Sequence, residues 1–192
     1  MSNVIIYGSQ QFAQYVRDLV IECGHSFVGF IDDFNDQGEN ILGSFNKVKE
    51  TFKKEDYDIV IAIGYSDLKT RWDVYERVVE SGYKVISLIH PKANIHKSSI
   101  IGNGTIISIG AILDYNTKVG EVTFIWPGVI VNHDSNIGSN CFLSPQVNIC
   151  GFVNIGDHCF VGASAVVVNG NNIPDNSFVK AGVVYHRKGG TE

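Results

Sequence analysis

The chain has 192 residues, 44% of them apolar, with 20 glycines and a formal charge of −5. That length holds one large or two small domains, and the composition is that of a globular, turn-rich chain. The acidic balance argues against a nucleic-acid or membrane surface, and no apolar stretch approaches the length of a transmembrane helix.

Residues 1–7 run straight into a strand pattern rather than a basic-plus-apolar leader, so a cytoplasmic protein is expected. Val4, Ile5, Ile6 and Tyr7 form a short apolar strand, followed by Gly8-Ser9-Gln10. A helix is predicted next, with Phe12, Tyr15, Val16, Leu19, Val20 and Cys23 on one face and Gly24 as its stop. Residues 27–31 read as a second strand closed by Asp32-Asp33, and residues 59–63 as a third ending at Gly64. Residues 68–79 look helical, with Ser81-Gly82 as the stop, and residues 84–88 read as a fourth strand. Strands alternating with helices imply a small parallel, Rossmann-like α/β sheet. Ligands of such sheets sit at the carboxyl ends of the strands. The candidate substrate-binding residues there are Gly8, Ser9, Gln10, Asp32, Asp33 and Gly64. Only Gly8 of a G-x-G-x-x-G fingerprint is present, so a mononucleotide or sugar nucleotide suits this half better than NAD.

From Ile89 to Val179 every sixth residue is Ile, Leu or Val, without a slip in register. A second series lies four residues after each, from Ala93 to Val183, and only Asn171 in it is neither small nor β-branched. Helices space apolar residues by three and four and strands by two, so a six-residue period points to a parallel β-helix. Three faces make a coil of eighteen residues, and Ile101-Gly102, Val119-Gly120, Ile137-Gly138 and Ile155-Gly156 repeat at that interval. The aliphatic series is expected to point inward, the small series to fill tight corners, and glycine to supply backbone freedom beside them. Residues eighteen apart are then vertical neighbours, roughly 4.8 Å apart. The expected division is residues 1–88 for the α/β domain and 89–192 for the β-helix, with a hinge near Pro91. Cys23, Cys141, Cys150 and Cys159 lack metal-ligand spacing and read as reduced, buried structural thiols, Cys141 and Cys159 stacked at one corner.

His133 falls two residues past an inward position, at a strand end on the prism surface, and Asp134 follows it. A histidine can take a proton from a nucleophile and return it to a leaving group. An adjacent carboxylate would orient the ring and favour its protonated form. Gly151 is eighteen residues on, one rung above His133, where it leaves room for a thioester and offers an N–H to its carbonyl oxygen. His25, His90, His96, His158 and His186 have no such company and read as surface or linker residues; no two histidines share a ligand spacing with an acid, so no metal is expected.

The hexapeptide run resembles the left-handed β-helix acyltransferases. With a small α/β domain before it, the chain resembles the bacterial nucleotide-sugar N-acetyltransferases and their sialic acid O-acetyltransferase relatives. The stretch Gly128-Val129-Ile130-Val131-Asn132-His133-Asp134, then Ile137-Gly138 and Leu143-Ser144-Pro145, carries the likeness, with residues 161–167 and 173–177 as later markers. The resemblance implies the left hand of the helix, a homotrimer, and acetyl-CoA in the groove between two β-helices, against Gly151, Gly162, Ala163 and Ala181. It also implies His133 as base with Asp134, Gly151 as oxyanion donor, and a nucleotide-linked amino sugar reaching the groove from the N-terminal domain, in surface-glycan biosynthesis. N-acetylation leads, O-acetylation of a sialic acid or other sugar hydroxyl follows, and a non-catalytic β-helix scaffold comes third. Two departures bear on the sugar: Trp126 stands where relatives often carry Asn, and Phe142 where some have a second His.

Overall fold

The structure, a computed structural model, describes residues 1–186; residues 187–192, assigned above to the second domain, lie outside the described residues. Backbone contacts separate the chain into two units, Met1–Leu88 and Ile89–Glu192.

The first unit runs β1 (Asn3–Tyr7), α1 (Gln11–Glu22), β2 (Ser26–Ile31), β3 (Ile41–Gly43), α2 (Phe45–Thr51), β4 (Tyr57–Ile61) and α3 (Leu68–Glu80). The strands form one parallel sheet in the order β3-β2-β1-β4. Val4, Ile5 and Ile6 of β1 and Ile59 and Val60 of β4 are fully enclosed, as expected of parallel strands covered on both faces. Ala13, Val16, Leu19 and Val20 form the buried stripe of α1, which packs on β1 and β2. The Asp67 carboxylate caps α3 by accepting from the Thr70 N–H, and Ser44 caps α2 through the Lys47 N–H.

The fourth strand differs from expectation. It is Ile41–Gly43, not residues 84–88, where Val85 makes only an isolated parallel bridge to Ile59 and Leu88 begins a separate two-residue strand, Leu88–Ile89. Three residues are too short to display a period of two. The helix that follows buries only Phe45 and Val48, too few to show a period of 3.6.

The second unit is a left-handed parallel β-helix of two-residue strands stacked in three sheets of five, six and six strands. Partners are eighteen residues apart, as in Val131 with Ile149 and Ile149 with Val167. The inward series is sealed from Ile107 to Val179, whereas Ile95 and Ile101 are half-buried and Ile89 is exposed. The small series is enclosed from Thr105 to Asn171. Its hydroxyls and thiols turn their polarity to use: Thr105, Thr123, Ser135 and Cys141 each donate to the carbonyl fifteen residues on. Asn171 keeps its place by donating its amide to the Val168 carbonyl.

The role expected of the repeat glycines is corrected. Gly102, Gly120, Gly138 and Gly156 do not adopt positive φ. An added Cβ at Gly120 or Gly138 would lie 2.5–2.6 Å from atoms of the next coil, the backbone carbon of Gly138 or Gly156 among them. These positions need the absence of a side chain, not backbone freedom. The freedom is needed elsewhere: every sixth residue from Gly104 to Gly182 has φ between 52° and 73°, and most of these are not glycine. Asp134 and Asn116 are among them, residue types that tolerate this conformation best after glycine.

Candidate active site

His133 stands at the end of one face of the β-helix, between Tyr115 below and Gly151 above in the same column. Rung hydrogen bonds hold the column: the Asp134 N–H donates to the Tyr115 carbonyl at 2.9 Å, the Phe152 N–H to the His133 carbonyl at 3.1 Å, and the Gly170 N–H to the Gly151 carbonyl at 3.0 Å. The turn at Asp134, with φ of 56°, brings its carboxylate back beside its neighbour, and Oδ2 lies 3.1 Å from His133 Nδ1. The Asn116 amide, one coil below, donates to Asp134 Oδ1 at 2.7 Å. That bond first, and the His133 contact second, hold the Asp134 carboxyl below the ordinary carboxylate range. An ionised Asp134 can only accept, so in the neutral imidazole the proton sits on Nδ1 and Nε2 keeps a lone pair.

The ring lies over Gly151. An added Cβ there would sit 2.7 Å from His133 Cε1, 2.8 Å from Nε2 and 3.0 Å from Asn169 Oδ1. Gly151 therefore keeps the basic nitrogen close to the backbone. Among the described residues its own N–H donates to no backbone carbonyl. Phe152 braces the other side of the imidazole, edge to face at 5.0 Å and 88°. Phe152, Asn116 and Asn169 were missed by sequence reasoning. Their spacing from His133, at +19, −17 and +36, becomes legible once eighteen is taken as the vertical step.

The residues assigned to acetyl-CoA do not all gather here. Gly162, Ala163 and Ala181 stack on one another at the neighbouring corner, at the other end of the face that leads to His133, with the Gly182 N–H bonded to the Ala163 carbonyl. An added Cβ at Gly162 would meet the Ala181 nitrogen at 2.4 Å, so coil stacking alone demands that glycine. Phe142, which stands where some relatives have a second His, is buried in a ladder of stacked rings from Phe124 through Phe160 to Phe178. Trp126 packs on the same ladder against Phe124 and Phe142.

In the first unit a cavity of about 540 Å³ opens at the strand ends, lined by Gly8, Ser9, Gln10, Asp32 and Asp33 among others. Gly64 does not line it; Ile63 does. Gly8 serves packing: an added Cβ would lie 2.6 Å from the Ala62 carbonyl oxygen, and its N–H donates to the Ile31 carbonyl. The two aspartates divide their work. Asp33 accepts from Tyr7 Oη at 2.5 Å, Arg77 Nη2 at 2.6 Å and the Phe45 N–H at 2.9 Å. Asp32 accepts from Ser9 Oγ and from the N–H groups of Phe34 and Asn35. Burial pushes the Asp32 carboxyl up, but these three donors together outweigh it and hold the group below its ordinary value. His90, expected as a surface or linker residue, is buried, its Nδ1 accepting from the Lys92 N–H. Among the described residues no three His, Cys, Asp or Glu side chains gather as a metal site requires, and no helix is long and apolar enough to cross a membrane.

Residues 3–78 match the PglD N-terminal domain family. Residues 116–151 and 134–169 match the bacterial transferase hexapeptide family. Among solved structures, the acetyltransferase domain of PglB from Neisseria gonorrhoeae FA1090 superposes with a TM-score of 0.88 at 21% identity, over 96% of this chain and 92% of that one. PerB from Caulobacter crescentus, solved with CoA and GDP-perosamine, gives 0.87 at 24% identity, over 96% and 89%. WeeI from Acinetobacter baumannii AYE gives 0.75 at 21%, over 95% of each chain. These likenesses establish a shared two-domain fold.

Proposed function

We propose, from its place among the hexapeptide-repeat transferases that carry a PglD-type N-terminal domain, that this chain is an acetyl-CoA-dependent N-acetyltransferase acting on the amino group of a nucleotide-linked amino sugar. The observation that carries the reading is the His133 ring lying over Gly151 with its Nδ1 tied to Asp134. His133 Nε2 takes a proton from the amine as its lone pair adds to the thioester carbonyl carbon. The Gly151 N–H receives the developing oxyanion; one such donor commonly lowers the barrier by about 2.7–4 kcal/mol. Asp134 steadies the imidazolium. The C–S bond then breaks, and the imidazolium returns its proton to the thiolate, giving the N-acetyl sugar and free CoA.

The neighbours known with CoA and GDP-perosamine support the choice of donor and acceptor. The cavity at Ser9, Gln10 and Asp32 suits the nucleotide part, and this favours a nucleotide-linked acceptor over a free sugar or sialic acid. The Gly162, Ala163 and Ala181 corner would meet the pantetheine arm, and the enzyme works as a homotrimer with sites between subunits. The test is CoA release from acetyl-CoA with UDP-, dTDP- and GDP-linked 4-amino sugars. One of them should give saturable turnover. If none does, while acetyl-CoA still binds with saturable heat, the acceptor class is wrong.

A further inference from the structure

We propose that Asn169 is the residue that makes this site select an amine over a hydroxyl. The inference rests on the transfer reaction above and adds its acceptor specificity. Asn169 continues the column of His133 and Gly151, one coil higher. Its carboxamide reaches back down, so that Oδ1 is 3.0 Å from the point where a Cβ on Gly151 would lie, while His133 Nε2 is 2.8 Å from that point. The two atoms thus flank the space over Gly151, close enough together for one small group standing off its backbone to reach both. Both are acceptors: Nε2 because Asp134 holds the proton on Nδ1, and Oδ1 as an amide oxygen. Among the described residues no hydrogen bond draws the Asn169 amide elsewhere, and its side chain is open to solvent.

Two acceptors converging on one point fit a primary amine. Its two N–H groups go one to His133 Nε2 and one to Asn169 Oδ1, which turns the nitrogen lone pair toward the thioester carbonyl. The proton held by His133 leaves during attack and passes to the departing thiolate. The one held by Asn169 stays and becomes the N–H of the product amide. A hydroxyl brings a single O–H. With that proton on His133 it has none left for Asn169 Oδ1, so it forgoes one of the two hydrogen bonds that the amine makes.

The experiment compares a nucleotide-linked 4-amino sugar with its 4-hydroxy counterpart, in the full-length wild type, Asn169→Ala and Asn169→Asp, by CoA release. Thermal unfolding first confirms that both variants fold. Asn169→Ala should lose roughly tenfold or more in kcat/KM for the amine, the scale of one hydrogen bond. The KM for acetyl-CoA should stay within about twofold, turnover of the hydroxyl should not fall, and the amine-over-hydroxyl preference should shrink accordingly. Asn169→Asp keeps the acceptor oxygen and should recover most of the amine activity. Unchanged amine kinetics in Asn169→Ala, or an Asn169→Asp as poor as Asn169→Ala, overturns the assignment and leaves the N-acetyltransferase reading standing. A wild type that turns over no amino sugar overturns both.

Discussion

His133 owes its free nitrogen to what grips the other one. Asp134 is placed by a left-handed turn and held ionised by the Asn116 amide from the coil below. Because its folded pKa is depressed, the Asp134–His133 lock is fully present above the ordinary value of 3.8 and is lost only as pH falls through the lowered one. The lock is therefore intact across the neutral range. Removing its largest cause, with Asn116→Ala, should move the Asp134 midpoint back up toward 3.8, read by a carboxyl-carbon NMR titration; an unmoved midpoint would show that Asn116 is not the cause. His133→Ala should lower kcat by about 10² or more, the usual scale of general-base loss, while calorimetric acetyl-CoA affinity stays near that of the wild type. The His-Asp pair and the glycine eighteen residues on were legible in the sequence because chemistry and period coincide there. Asn116, Phe152 and Asn169 were not, since nothing about their residue types announces a role until the coil places them around the imidazole.

At the scale of elements, Asp33 ties together the end of β1 through Tyr7, the start of α2 through the Phe45 N–H, and α3 through Arg77. Asp32 instead shapes the loop that walls the cavity. The two should part in experiment. Asp33→Ala should lower the melting temperature of the N-terminal unit, whereas Asp32→Ala should raise the KM for the sugar nucleotide and leave that for acetyl-CoA nearly unchanged. Equal effects of both on melting and KM would remove the distinction. The sequence offered the two aspartates as equals because their partners, Tyr7, Phe45 and Arg77 for one and Ser9 and the 34–35 loop for the other, lie at separations that no period announces. The coils were the reverse case, since a period repeated without a slip outweighs any local ambiguity. Even there the glycines were assigned a role that belongs to other residues. Gly138→Ala would press a methyl to 2.6 Å from the Gly156 backbone, which cannot step aside, whereas Gly170→Ala meets nothing within 4 Å. Gly138→Ala should cost well over the roughly 1–2 kcal/mol of left-handed strain expected at Gly170. Urea denaturation of both variants decides the order.

At the scale of the molecule, the face of the β-helix that ends at His133 exposes apolar side chains that a single chain leaves uncovered, Ile112, Val184 and the adjoining Phe152 and Tyr115 among them. Phe142 and Trp126 are not available to cover them, being engaged in the ring ladder. A closed threefold arrangement would bury this face. Light scattering at micromolar concentration should report a mass near three times the 21.1 kDa of the chain, and a value near one chain would sink the trimer.

The eighteen-residue register also sets a rule for how such a chain can change in length. Asn116 reaches Asp134, and His133, Gly151 and Asn169 reach one another, only because the members of each set occupy one phase of successive turns. Loss of one residue between His133 and Gly151 would rotate everything above it by a sixth of a face's period, turn the inward aliphatics off axis and carry Gly151 and Asn169 away from the imidazole together. Loss of eighteen would restore the phase but put a different residue over the ring. For the coils that hold this site, length is therefore a quantised variable. Whole turns can be gained or lost beyond the site, while extra residues between its members can be accepted only as loops that leave and rejoin the stack at the same corner.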